Sequence, residues 1–186
     1  MKAKTLAMAV AAFLGGGALA GFVAFSGSSP VAKPGDGGWV EMRWPFPMDQ
    51  WGEGQAFRCG KDICGETIDL FVRAKIGFCN CTTGIGDDDE LDRVSDFDLI
   101  GHDVKPIAPG KPVAVDKGSA RRRLFETSGL TARKAMSFAF NRDCDAVVVT
   151  ALAEPTSAPA FEEVALRFAT GDDMKKRVAA LLSPPR

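Results

Sequence analysis

The chain has no tyrosine and a single histidine, His102. Tyrosine acid chemistry is excluded, and any histidine base would have to be His102, beside Asp103 in a loop. No G-x-S-x-G accompanies it and no H-E-x-x-H occurs, so the common hydrolase elbow and zinc-protease helix are missing. A lone loop histidine reads first as an exposed side chain. There is also no P-loop and no G-x-G-x-x-G, which removes the usual phosphate and dinucleotide cradles. Basic charge is not in excess: 23 Lys and Arg against 24 Asp and Glu give a formal net charge of −1. That balance does not suggest a nucleic-acid binder. The cysteines form no C-x-x-C pair and no C-x-x-C-H haem motif. No internal repeat is visible, and no resident cofactor is expected.

Beyond these absences, the 186 residues are 46% hydrophobic and 25% charged, an ordinary globular composition. Lys2 and Lys4 precede an uncharged run from Thr5 to Phe25. A positive start followed by an apolar stretch is the layout of an export signal. Ala18-Leu19-Ala20 fits a small-x-small cleavage site, while the length of the run matches a single membrane span. Residues 1–25 are therefore read as a signal peptide or a transmembrane anchor helix, with the lysines inside and the rest exported to a bacterial periplasm. Length favours the anchor, placed in the inner membrane at residues 5–25. Residues 26–38 are rich in Ser, Gly and Pro and read as a flexible linker. Residues 39–186 are long enough for one domain.

Trp39 to Trp44 reads as an edge strand stopped by Pro45 and Pro47. Glu66 to Ile76 alternates as a half-buried strand, with Ile68, Leu70, Val72 and Ile76 inward and Thr67, Asp69 and Arg73 outward. Asp87 begins a helix whose buried stripe would be Leu91, Val94 and Phe97. Residues 101–118 hold three prolines and read as loop, with a short strand at Pro112 to Val115. Arg121 to Glu126, Lys134 to Phe140 and Ala146 to Ala151 read as an antiparallel meander, in which Phe138 and Val148 should be buried. Pro159 falls in the first turn of a helix carrying Phe161, Val164, Ala165 and Phe168. Gly171 ends that helix, and Asp172 or Asp173 caps a last one carrying Met174, Val178, Leu181 and Leu182. Strands followed by helices predict an α+β domain, an antiparallel sheet with helices on one face.

Four of the five cysteines, Cys59, Cys64, Cys79 and Cys81, flank the strand from Glu66 to Ile76; the fifth is Cys144 in a hairpin turn. In an oxidising compartment such cysteines form structural disulfides, and five allow at most two. Cys79 and Cys81 are too close to bridge each other without strain. The expected bridge joins Cys59 or Cys64 to Cys79 or Cys81, or to Cys144, with Cys144 a second possible partner for Cys79 or Cys81. It would tie down the run Phe57 to Gly65, which has little apolar content of its own. The alternative is a metal or redox site, with Cys59, Cys64, Cys79 and Cys81 offering four thiolates to zinc or copper(I).

Two further groups are interaction candidates. Trp39, Trp44 and Trp51 cluster with Phe46 and suit either a core or a half-wet surface for a partner or membrane. Arg121, Arg122 and Arg123 suit a charged strand edge or a docking patch for acidic groups, with Arg122 pointing opposite to its neighbours if they lie on a strand. Asp87 to Asp98 is rich in carboxylates but does not follow the calcium-loop pattern, and reads as a solvated helix face. The functional expectation is a non-catalytic accessory or interaction domain, tethered to the membrane through its N-terminal segment and serving a protein partner in the cell envelope. A thiolate metal or redox protein comes second, and a hydrolase using His102 third.

Overall fold

The computed structural model describes residues 36–78, 80–101, 103–128, 132–155 and 160–183. A short 3-10 turn, Asp36–Gly38, leads into the first strand. The elements then run β1 (Trp39–Met42), β2 (Gln55–Cys59), α1 (Lys61–Cys64), β3 (Ile68–Lys75), α2 (Asp88–Val94), α3 (Phe97–Ile100), β4 (Val104–Pro106) and β5 (Lys111–Pro112). They continue with β6 (Ala120–Thr127), β7 (Lys134–Arg142), β8 (Asp145–Ala153), α4 (Ala160–Ala169) and α5 (Asp172–Leu181). Cys79, His102, Gly129 and Pro159 lie outside the described residues, as does the apolar run at 5–25. Among the described residues no helix is long and apolar enough to cross a membrane.

The strands form one eight-stranded antiparallel sheet in the order β1-β2-β3-β8-β7-β6-β4, with β5 also pairing β6. The meander β6-β7-β8 matches the sequence expectation. Its last strand returns beside β3, with Val72 opposite Val149. Phe138 and Val148 are buried as expected, at 1% and 0% exposure.

The helices cover both faces of the sheet, not one. Leu70, Val72, Val147, Val149 and Phe138 pack under α4 and α5 through Phe161, Ala165, Met174 and Val178. The opposite face carries Val148 and Ala139 under α2, through Leu91 and Val94. Beside them Phe71, Phe125 and Leu152 lie under Trp44, with α3 residues packed around them. The physical reason is legible in β8: Val147, Val148 and Val149 are consecutive, so they point alternately to both faces and each face needs a cover. The same holds for β3, which is buried along nearly its whole length and not half-buried. Its polar side chains Asp69, Arg73 and Lys75 lie inside, while Ile76, just past its end, is 56% exposed.

Other boundaries differ from expectation for local reasons. Asp87 caps α2 by accepting the Glu90 amide at 2.8 Å. The helix stops at Ser95, so Phe97 belongs to the separate α3 and meets Phe125, ring centroids 4.9 Å apart, in place of Leu91 and Val94. Gly171, not Asp172 or Asp173, is the N-cap of α5; the two aspartates occupy its first turn, near the positive dipole end. The strand expected at Pro112 to Val115 is β5, Lys111–Pro112. The run Phe57 to Gly65 is not held by a bridge alone. Its first residues belong to β2, paired on both sides, with Ala56, Phe57 and Cys59 buried.

Candidate functional site

Two disulfides are present, Cys59–Cys64 and Cys81–Cys144. Neither joins the Cys59/Cys64 segment to Cys81 or Cys144, so the expected long-range bridge between these segments is corrected. The reason is the length of β3. Cys59 pairs with Ile68 at its start, while Cys144 sits in the hairpin beside its end, where Lys75 pairs with Ala146. A strand of this length spans roughly 25 Å, and a disulfide needs Cα atoms within about 7 Å. The observed Cα separations are 6.0 Å and 4.3 Å. Sulfurs that bridge one another have no thiolate to offer a metal. Among the described residues no group of three or more His, Cys, Asp or Glu is placed to hold one.

The tryptophans are distributed over separate packing sites. Trp39 is buried and stacks on Phe168 at 4.4 Å. Trp44 is buried edge-on to Phe46 and Phe71. Trp51 is half-buried on Phe78, with the Lys75 ammonium 5.7 Å from its ring. The three arginines of β6 bind the chain's own carboxylates and alternate as a strand requires. Arg121 pairs with Asp88, and Arg123 with Asp92 at 2.8 Å, both on α2. Arg122 pairs with Glu162 of α4 on the other side. Their charge is thus matched within the fold, where it clamps both helical layers to one flank of the sheet. The Gly110 amide and the Arg121 guanidinium hold the Asp88 carboxyl below its ordinary value. Burial pushes Asp92 up, against the pull of Arg123.

Sequence reasoning missed a buried charge network on the α2/α3 face of β3. Arg73 binds Asp96 and, at 2.6 Å, Asp49. Lys75 reaches Asp96 at 2.8 Å and the Val94 carbonyl at 2.6 Å. The signal was present in the sequence: two cations on one face of a strand whose other face is wholly apolar. Burial disfavours the charge on Arg73, but Asp96 and Asp49 more than restore it. The network ties the segment before β2 and the α2–α3 junction to the central strand.

A cleft lies elsewhere, on the α4/α5 face, with a volume of about 530 Å³. Phe138 and Phe140 of β7 form its floor; Val178, Ala179 and Leu182 form one wall, and Ala114 to Lys117 the other. Asn141 and Arg142 close its end. That end is rigidly built. The buried Asn141 side chain accepts the Ser119 amide at 2.8 Å and donates to the Asp143 carbonyl at 3.1 Å. Gly84 (φ 59) and Gly118 (φ 80) press against Asn141 so closely that a Cβ at either would collide with it, and both φ values favour glycine. Lys175 and Asp116 pair across the rim at 3.0 Å, and this partner raises the Lys175 ammonium above its ordinary value. Lys117 and Arg142 also line the cleft, and neither has an ion-pair partner among the described residues. The Thr170 hydroxyl donates to the Leu166 carbonyl, so it is engaged with its own helix. The arrangement offers an apolar floor and positive charge, which suits binding.

Comparison with known proteins finds no matching family model and no curated protein that matches the chain.

Proposed function

We propose that the chain is an exported, inner-membrane-tethered, non-catalytic accessory or interaction domain of the bacterial cell envelope, stabilised by disulfides. Residues 5–25 are the tether, 26–38 the linker and 39–186 the exported domain. The observation that carries this reading is the pair of disulfides, one at each end of the central strand β3. Bonds of this kind persist in oxidising compartments. The Lys2/Lys4-flanked apolar run supplies the route there. The domain acts by holding a ligand or an envelope partner, and its cleft combines an apolar floor with unmatched positive charge.

Protease treatment of intact spheroplasts tests the location. The domain should be digested from outside, and the undigested chain should stay with membranes after carbonate washing. Protection until the inner membrane is lysed would overturn the export reading. Recovery of the intact chain in the soluble fraction would overturn the tether.

A further inference from the structure

The α4/α5 cleft differs from the charge clusters of β6 and β3 in one respect. The arginines of β6 and the cations of β3 are each matched by carboxylates of the chain. In the cleft, Lys175 is matched by Asp116 and Asp172, which leaves Lys117 and Arg142 without an ion-pair partner among the described residues, although the whole chain carries a formal net charge of −1. Unmatched positive charge and an apolar floor therefore line the same cleft. Phe138 is 1% exposed, and Phe140, half-buried, tilts beside it with ring centroids 5.6 Å apart.

We infer that this cleft binds a single-chain amphiphile with a carboxylate head, of the class of medium-chain fatty acids. The carboxylate sits between Lys117 and Arg142, and the hydrocarbon lies along Phe140, Val178 and Leu182. The inference rests on the binding role proposed above and names the chemistry of its ligand. Charge complementarity selects the anionic head, since a cationic head would meet two unmatched cations. The volume of about 530 Å³ lies in the range of small-molecule sites. A peptide fits less well. The floor strand β7 is paired by β6 on one side and β8 on the other, so its backbone groups are already satisfied. It offers no strand edge for a peptide to extend, and the amides of a peptide would be left buried without partners. A hydrocarbon tail carries no such groups. The Asn141 knot holds the head-group end in place before binding, which lowers the ordering cost.

The test uses the purified full chain in lipid nanodiscs and decanoate carrying a photoreactive diazirine at its terminal carbon. Peptide mapping after illumination should place the label on the α5 peptide around Val178 to Leu182. Unlabelled decanoate should compete, and decyltrimethylammonium should not. The double variant K117Q/R142Q removes two charge-assisted partners, so cleft labelling should fall by about tenfold. Neither side chain has an ion-pair partner among the described residues, so the unfolding midpoint should not move. Should the double variant misfold, the competition experiment on the unaltered protein decides by itself. The inference is overturned by label confined to residues 5–25, by equal competition from the cationic amphiphile, or by full labelling of a folded K117Q/R142Q. These outcomes leave the export reading intact, because that reading is measured in spheroplasts and not in nanodiscs.

Discussion

Asp96 is the most consequential single carboxylate in the molecule. It is buried and faces both Arg73 and Lys75, which are buried as well. Removing it strands two cations inside the fold. Asp96→Ala should therefore destabilise by about 3–5 kcal/mol, read from the urea midpoint. Asp49 also binds Arg73, but its side chain is 41% exposed, so water compensates its loss. Asp49→Ala should cost no more than about 1 kcal/mol. Equal effects would mean that the network does not divide into an inner and an outer partner.

The carboxylates also make stability depend on pH, with opposite signs. Burial works to raise Asp49, but the Trp51 amide and the Arg73 and Lys75 charges outweigh it and hold the carboxyl below its ordinary 3.8. Asp88 is likewise held down. Their contributions are complete above the unfolded value and vanish as pH falls through the folded one. Asp92 behaves in reverse. Its folded value is raised by burial and by Asp88 and Asp89, and one of its oxygens has no hydrogen-bond partner among the described residues. Its contribution is present below the unfolded value and lost as pH rises through the folded one. As pH rises from about 4, the stability of Asp92→Asn should thus improve relative to the parent chain until the folded value of Asp92 is passed. A difference that stays flat across a pH series of urea midpoints would contradict the assignment.

At the scale of elements, the two disulfides are unequal. Cys59–Cys64 spans a sequence separation of 5 and staples α1 to the end of β2, where strand pairing already holds Cys59. Cys81–Cys144 spans a separation of 63 and joins the segment after β3 to the β7–β8 hairpin. Loop-closure entropy gives about 4 kcal/mol for the long loop and about 2 kcal/mol for the short one. Cys144→Ser should accordingly lower the unfolding free energy about twice as much as Cys64→Ser. The reverse order in matched guanidinium titrations would show that native packing, and not chain entropy, sets these values. Helix placement follows a comparable logic. α2 is held by its Asp87 cap, two buried apolar side chains and its pairs to Arg121 and Arg123, so its position depends on both ends of its sequence.

At the scale of the whole molecule, one sheet carries everything, and its two faces have different tasks. The α2/α3 face is locked by matched charge and aromatic packing, while the α4/α5 face carries the cleft with unmatched charge. The sheet edges differ as well. β4 and β5 contain Pro106 and Pro112, which lack a donor for further pairing. Among the described residues, both hydrophobic layers are drawn from residues 39–182. If residues 5–25 serve only as a tether, replacing them with a cleavable signal should release the domain into the soluble periplasmic fraction. Its disulfide pairs and unfolding midpoint should be unchanged. A lower midpoint would mean that the N-terminal segment also contributes to the fold.

The sequence by itself determined the local elements. Alternation marks β7, consecutive valines mark β8, Asp87 announces the start of α2, and the cysteines announce disulfides. These signals are local, because a strand's period and a helix cap are set by neighbours within a few residues. Tertiary structure alone decided which cysteines meet, because the length of β3 separates the two groups while the hairpin brings Cys144 to Cys81. It alone decided that both faces are covered, since periodicity sorts side chains between faces without saying what lies over them. It also placed Arg73, expected on an outward polar face, together with Lys75 in a buried network by setting Asp96 and Asp49 against them. The cleft has the same origin. Phe138, Asn141, Lys117 and Val178 are scattered along the chain, and only the packing of α5 and the 114–117 segment over β7 makes them one surface.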